Sequence, residues 1–333
     1  MPARAMAVPE SLEIRRVLFL QKQEVLERHR EGVAGRLAEA FPDVRVDFAS
    51  EPAEVPAGGR YDAVIAPTLP WLPDALERLA RYRWIHFLSA GVEKIWGMDF
   101  DKAAVIMTKS SGVHGQPMSE YALGAMLYFA KQFGRFDAQA RERRWERAWL
   151  DELTGRTVVV LGMGHVGSWV ARRAKAFDMR VIGVQRRPRA SDWADEVLAL
   201  DEVGGRLHEA DYLVVCLPLT AATEGLVDAE FLGRLKKGAV LVDISRGGVV
   251  RERAVIEALR SGRLKGAALD VFESQPLPPG SPVWGEANIL VTPHVSGTSP
   301  HYMGRAIDIL IENARALEAG AAPLTPVDPD AGY

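Results

Sequence analysis

Three segments in the second half of the chain carry reactive side chains at the ends of apolar runs. Val242-Asp-Ile-Ser-Arg246-Gly-Gly supplies an arginine. Ala268-Leu-Asp270-Val-Phe-Glu273-Ser-Gln275 supplies carboxylates and an amide. Val291-Thr-Pro-His294-Val-Ser-Gly297 supplies a histidine. In open α/β sheets, ligands bind outside the carboxyl ends of the strands. An arginine there can hold a 2-keto acid, a histidine can exchange the hydroxyl proton, and a nicotinamide can exchange hydride. Each residue alone is a weak signal. Their order along the chain, after the glycine loop described next, makes them a constellation.

That loop is Gly162-Met163-Gly164-His165-Val166-Gly167. It follows the apolar run Thr157–Leu161 and opens a helical pattern, Ser168–Phe177, before a second run, Arg180–Val184. This is the βαβ context that a dinucleotide loop requires. Gly162 permits the tight turn, Gly164 lets a pyrophosphate approach the backbone, and Gly167 allows close helix packing. The helix N-terminus offers its amides and positive dipole end to the phosphates. At the end of the second run an NAD site usually places an acid. Here Gln185 takes that position and Arg186 and Arg187 follow. No carboxylate repels a 2′-phosphate, and the two arginines can bind one in bidentate fashion. NADP(H) is therefore expected as the cofactor, with NAD(H) as the alternative.

The elements that must position these groups form an α/β pattern. Val17–Leu20, Val44–Phe48, Ala63–Ala66, Ile85–Leu88 and Val105–Met107 read as strands, with a helix over Glu24–Ala40. A second series runs through Thr157–Leu161, Arg180–Val184, Tyr212–Cys216, Ala239–Ile244, Ala267–Val271 and Ile289–Thr292. Alternation with helices implies parallel, doubly wound sheets covered on both faces. Ser119–Phe136 reads as one long helix with Ser119 as its N-cap. The arginine-dense stretch Arg135–Arg147 reads as a solvated helix face; a phosphate-binding surface is the alternative.

The chain of 333 residues suits about two domains. Its net charge of −3 argues against a generic nucleic-acid binder. No apolar run approaches the ~20 residues that span a bilayer. Met1–Arg16 shows no signal-peptide pattern, and Ala319–Tyr333 is expected to be partly disordered. One cysteine, Cys216, excludes an intrachain disulfide and a multi-cysteine metal site, and no metal is expected. Together these features fit a cytoplasmic, two-domain, soluble protein.

The chain resembles the D-isomer-specific 2-hydroxyacid dehydrogenase family. The matching pieces are Ser89-Ala-Gly-Val, Ser119-Glu-Tyr-Ala-Leu, Glu152-Leu-Thr-Gly-Arg-Thr-Val, the glycine loop and Leu217-Pro-Leu-Thr. Ser245-Arg-Gly-Gly, Asp-Val-Phe-Glu with Pro-Leu-Pro, and Thr-Pro-His-Val complete the set. The resemblance implies two Rossmann-like or flavodoxin-like domains, with the nucleotide domain, residues 112–297, inserted into a substrate domain of residues 1–111 and 298–333. It implies a site in the interdomain cleft and a homodimer. It assigns Arg246 to the substrate carboxylate and carbonyl, and His294 to proton transfer. It assigns the backbone of Ala90, Gly91 and Val92 to the substrate carboxylate. Asp270 would lie near the nicotinamide, and Leu217 and Pro218 would line the cofactor groove. The implied substrate is a small 2-keto or 2-hydroxy acid of the glyoxylate or hydroxypyruvate type.

One position departs. The family commonly pairs its histidine with a glutamate five residues after the aspartate of Asp-Val-Phe; here that residue is Gln275. An amide orients the ring without supplying charge, so proton donation by His294 should favour lower pH. A Gln–His pair and the run His294-Val-Ser-Gly-Thr also resemble the formate dehydrogenase branch. That branch carries an asparagine where this chain has His114. A nucleotide-sensing, corepressor-like binding protein is a further alternative. Trp71, Trp96, Trp145 and Trp149 are expected to pack a core or a dimer interface, with a pocket lining as the alternative. Cys216 is expected to be an inert, packed thiol.

Overall fold

Most of the apolar runs become parallel strands buried on both faces; those over Arg45–Ala49 and Ile289–Val291 are largely half-buried. The structure, a computed structural model, describes residues 11–327. The expectations for residues before Ser11 and after Val327 lie outside those residues. The chain divides into two compact units, one taking the chain up to Val113 and again from Ser299, the other His114–Thr298.

The first unit begins with β1 (Arg16–Leu20), α1 (Gln23–Ala40) and β2 (Arg45–Ala49). There follow β3 (Gly59–Arg60), β4 (Ala63–Ala66), α2 (Leu72–Glu77), β5 (Leu79–Arg81), β6 (Trp84–Phe87) and β7 (Ile106–Lys109). Its main sheet has the order β2-β1-β4-β6-β7, all parallel, and β3 and β5 form a separate pair. The period of two along β1 explains the layering. Val17 and Phe19 pack with Leu26, Val33 and Leu37 of α1; Leu18 and Leu20 pack with Leu72 and Leu76 of α2.

The second unit holds α3 (Gly115–Ala130), α4 (Phe133–Arg141), β8 (Thr157–Leu161), α5 (His165–Ala176), β9 (Arg180–Val184) and β10 (Glu196–Leu198). It continues with β11 (Tyr212–Val215), α6 (Ala229–Gly233), β12 (Ala239–Asp243), α7 (Glu252–Arg260), β13 (Leu264–Leu269) and β14 (Ile289–Val291). The sheet order is β10-β9-β8-β11-β12-β13-β14. The strand order reverses between β8 and β11, the switch point at which such sheets bind ligands. Val158 and Val160 face α3 and α5, whereas Val159 and Leu161 face the side of α6 and α7. The chain then returns to the first unit with α8 (Tyr302–Glu318), whose Met303, Ile307 and Leu310 join the α1 side of that core.

Several expectations are corrected. Ser119 is no N-cap: α3 begins at Gly115, and the Ser119 hydroxyl donates back to the carbonyls of Gly115 (2.6 Å) and Gln116 (2.9 Å). Pro117 is tolerated there because the first turn of a helix needs no N–H donors. The long helix is two helices, broken at Gln132, whose φ is +52°. Gly134, just past the break, is where the Tyr128 hydroxyl comes close; a Cβ there would stand 2.1 Å from it. In the described part of the tail, Thr325 bonds to Asn313 and Lys109, and the Val327 amide donates to Met107 O at 3.0 Å.

Candidate functional site

The glycine loop folds as its spacing requires. Gly162 has φ +103°, and a Cβ on it would stand 3.0 Å from Cys216 O. A Cβ on Gly167 would stand 2.0 Å from Gly162 O, so α5 can approach β8 this closely only without one. Met163 is buried and points inward against Gly183, whereas Val166 is half-buried and His165 exposed. Gly164 is the N-cap of α5, offers no capping side chain and has open space where a Cβ would be. The first amides of α5 are thus left for an anion. Leu217, half-buried, and Pro218, exposed, follow β11 on the other side of the switch point.

These residues fit a dinucleotide. The uncapped helix start and open Gly164 suit a pyrophosphate. Gln185 sits at the end of β9, donates through Nε2 to Met163 O, and keeps Oε1 buried without a hydrogen-bond partner among the described residues. A ribose hydroxyl is the type of donor that oxygen lacks. Arg186 and Arg187 are exposed, and no described acidic residue pairs with them. A groove of about 350 Å³ opens beside Gly164 and His165, lined also by Ser168, Trp169, Arg172 and Trp193.

The second cluster sits at the ends of β12, β13 and β14. Asp243 is buried, and its Oδ1 accepts from the Ser245 amide (3.0 Å) and hydroxyl. Burial, reinforced by the Asp270 charge, pushes the Asp243 carboxyl up to about 7 despite those bonds. Arg246 follows at once, its Nη1 donating to Ser245 O at 3.0 Å. Gly247 allows the loop to approach the next one: a Cβ there would stand 1.8 Å from Phe272 O and 3.3 Å from Gln275 Nε2.

Gln275 and His294 are hydrogen-bonded, as the resemblance implied. Gln275 Nε2 donates to Phe272 O (3.2 Å), which turns Oε1 toward His294 Nδ1 at 2.8 Å. The backbone carbonyl thus fixes the amide's orientation, and the amide fixes the ring: Nδ1 carries hydrogen and Nε2 is left for a ligand. His294 itself has φ +55°, a left-handed conformation that side chains rarely adopt.

Asp270 holds this loop from beneath. It is fully buried. Oδ1 accepts from Thr292 Oγ1 (2.6 Å) and the Val295 amide (2.8 Å), and Oδ2 from the Ser296 amide (2.9 Å). Because Thr292 Oγ1 donates to Asp270, it is free to accept from the Tyr121 hydroxyl at 2.7 Å. Burial pushes the Tyr121 phenol up to about 12, which keeps it a donor. Tyr121 and Thr292 both lie in motifs visible in the sequence, but they are 171 positions apart, and no spacing rule joins them.

Ala90, Gly91 and Val92 belong to the first unit, in the loop after β6; Val92 is buried and the other two are half-buried. The preceding Ser89 has a buried hydroxyl oxygen with no partner among the described residues. Trp71 and Trp96 pack partly against the core of that unit. Trp145 and Trp149 pack no core: they are 95% and 99% exposed, on the segment after α4. Cys216 is half-buried, and burial pushes its thiol up, away from reactive thiolate. Among the described residues, no group of three His, Cys, Asp or Glu could hold a metal ion, and no helix is long and apolar enough to cross a membrane.

A family model described as D-isomer specific 2-hydroxyacid dehydrogenase, NAD binding domain, matches residues 123–296. A glyoxylate reductase from Korarchaeum cryptofilum is 30% identical over 259 residues, covering 75% of this chain and 77% of that protein. Among solved structures, an NADPH-dependent glyoxylate/hydroxypyruvate reductase from Sinorhizobium meliloti, in complex with NADP and sulfate, is 28% identical. It superposes with TM-score 0.81 over 96% of this chain and 100% of that one. A D-isomer specific 2-hydroxyacid dehydrogenase from Xanthobacter autotrophicus, in complex with NADPH and MES, is 31% identical with TM-score 0.80, at 96% and 100% coverage.

Proposed function

The chain belongs to the D-isomer specific 2-hydroxyacid dehydrogenase family, an NAD(P)-dependent oxidoreductase family, and from that premise we propose that it reduces a glyoxylate- or hydroxypyruvate-like 2-keto acid with NADPH. The bound nicotinamide supplies the hydride. Arg246 holds the substrate carboxylate and polarises the carbonyl. His294 gives its Nε2 proton to the carbonyl oxygen, and in the reverse direction the bare Nε2 takes it back. Gln275 accepts Nδ1–H in both states and so keeps Nε2 aimed. Ala90, Gly91 and Val92 form the substrate-carboxylate loop of this reading, and Leu217 and Pro218 flank the cofactor. The observation that carries it is the Gln275–His294 bond of 2.8 Å, which leaves a single nitrogen for the substrate.

The NADPH assignment is supported by Gln185 in place of an acid and by Arg186 and Arg187, which no described acid neutralises. The cofactor complexes of the Sinorhizobium and Xanthobacter proteins point the same way. The exposed Trp145 and Trp149 support a homodimer, since large aromatics left bare on a protein surface mark an interface. The single cysteine supports a cytoplasmic location.

Gln275, an uncharged amide beside His294, also favours a second reading, formate oxidation, which moves hydride without moving a hydroxyl proton. One experiment separates the readings: a panel of 2-keto acids with NADPH and with NADH, and formate with both oxidised cofactors. Turnover of glyoxylate or hydroxypyruvate with NADPH is expected. Turnover of formate alone, or cofactor binding without turnover, overturns the reductase.

A further inference from the structure

The segment Arg186–Ala190 makes no hydrogen bond among the described residues, although both of its ends are tied down. On the upstream side the Gln185 amide donates to Leu198 O at 2.9 Å and its side chain reaches Met163 O. On the downstream side stands Trp193. Its indole lies against the Arg172 guanidinium, 5.2 Å from centroid to Cζ, and Arg172 lies over Trp169 at 5.0 Å. Trp169 is itself immobilised. Arg173 lies over it at 4.8 Å while reaching Glu120 at 3.0 Å, and Gly115 leaves no room for a Cβ against its ring, at 2.2 Å. A column thus runs from the start of α3, through α5, to the loop after β9.

The chemistry of the column matters as much as its rigidity. The loop carries Arg186, Arg187 and Arg189, and no described acid pairs with any of them or with Arg172; Asp192 is exposed and also pairs with none. An acidic anchor would hold an arginine-rich loop but neutralise it. An indole holds a guanidinium through its face and leaves the charge and the N–H edges free. A loop held this way stays ready for a phosphate.

We propose that Trp193, stacked on Arg172, positions the arginine loop for the 2′-phosphate and so determines the preference for NADPH over NADH. This rests on the NADPH reading above. Trp193 is a positioning residue, since it acts through the loop. Affinity for a ligand scales with the fraction of loop already in its binding conformation, so loss of the anchor should weaken NADPH binding about ten-fold. NADH, which lacks the phosphate, should bind within about two-fold of wild type by the same argument.

The test uses the full chain and two readouts. NADPH and NADH are each titrated calorimetrically against wild type, Trp193→Ala, Trp193→Phe and Arg172→Ala. The ligand-free proteins are also digested with limiting trypsin and the early cuts mapped by mass. Trp193→Ala and Arg172→Ala should both lose NADPH affinity and be cut early after Arg186 and Arg189, whereas Trp193→Phe should keep most of both properties. Agreement between the loop variant and the helix variant excludes a merely misfolded protein. Unchanged NADPH affinity, or unchanged resistance to trypsin, in Trp193→Ala overturns the proposal. A wild type that binds NADH as well as NADPH overturns the underlying cofactor reading instead.

Discussion

In each unit the first strand of the sheet runs through a turn into a helix packed on that sheet, and only one of the two turns can hold a dinucleotide. In the first unit, β1 passes through Gln21 and Lys22 into α1 with no glycine and no special backbone angle. In the second, β8 passes into α5 through a loop in which the glycines at 162 and 167 leave no room for a side chain. The strand orders differ only at the edges and both sheets are parallel. Shared architecture therefore does not carry the function. A few missing Cβ atoms do, because they let a helix start approach the sheet with its amides uncovered.

The most disruptive way to erase this contrast is Gly167→Val. The new side chain starts 2.0 Å from Gly162 O. Overpacking of that kind costs about 3 kcal/mol or more. Cofactor affinity should fall by at least about 100-fold, the equivalent of ~2.7 kcal/mol. Calorimetric titration and thermal melting check both.

The two units should also respond oppositely to acid. In the first, His86 is fully buried, bonded to Thr108 (2.7 Å) and Ser110 (3.0 Å), and burial pushes it down to about 3. The unfolded chain then binds more protons than the folded one between pH ~6.5 and ~3, so stability falls as pH falls through that window. At pH 5 the loss is about 2 kcal/mol. In the second, Asp243 is raised to about 7, so the folded form holds the extra proton. Its contribution is complete below pH ~4 and is lost as pH rises toward ~7. Hydrogen exchange at pH 5 and pH 8, read on β6 and on β12, should show β6 weakened and β12 strengthened on acidification. Parallel loss of protection in both would break the contrast.

A smaller effect concerns catalysis at the second unit's strand ends. Gln275→Glu places a carboxylate on His294 Nδ1 and stabilises the charged ring. The acidic optimum expected for keto-acid reduction should move upward by about one pH unit. A superimposable pH–rate profile would show that the amide and the acid do the same work. The smallest effect lies in the first unit's opening helix. Gly32 in α1 has open space, with nothing within 4 Å, where a Cβ would stand. Gly32→Ala should therefore add about 0.5–1 kcal/mol to stability with unchanged kinetics, read by denaturant unfolding and steady-state rates. Adding a side chain to a glycine is thus harmless in one opening helix and ruinous in the other.

The strands were legible because a strand covered on both faces is written as an unbroken apolar run, as in Val17–Leu20 and Thr157–Leu161. β10 was not, since Glu196–Leu198 is a short, half-buried edge strand with no such run. The start of α3 was obscured because Ser119 resembles a cap while its hydroxyl is used inside the helix. At the candidate site, the reactive side chains Arg246, Gln275 and His294 were legible by type and spacing. The residues that aim them were not. The three bonds of Asp270 to the His294 loop join residues 22 to 26 positions apart, which no spacing rule foretells. Tyr121 acts through Thr292 across 171 positions, and the Trp169–Arg172–Trp193 column joins separate elements. Such links exist only once the sheet has formed.

The left-handed backbone at His294 sets two kinds of fitness against each other at one residue. A glycine there would relieve about 1 kcal/mol of conformational strain. An imidazole in that position trades this stability for a side chain able to exchange a proton, on a loop held by the bonds of buried Asp270 to Thr292, Val295 and Ser296.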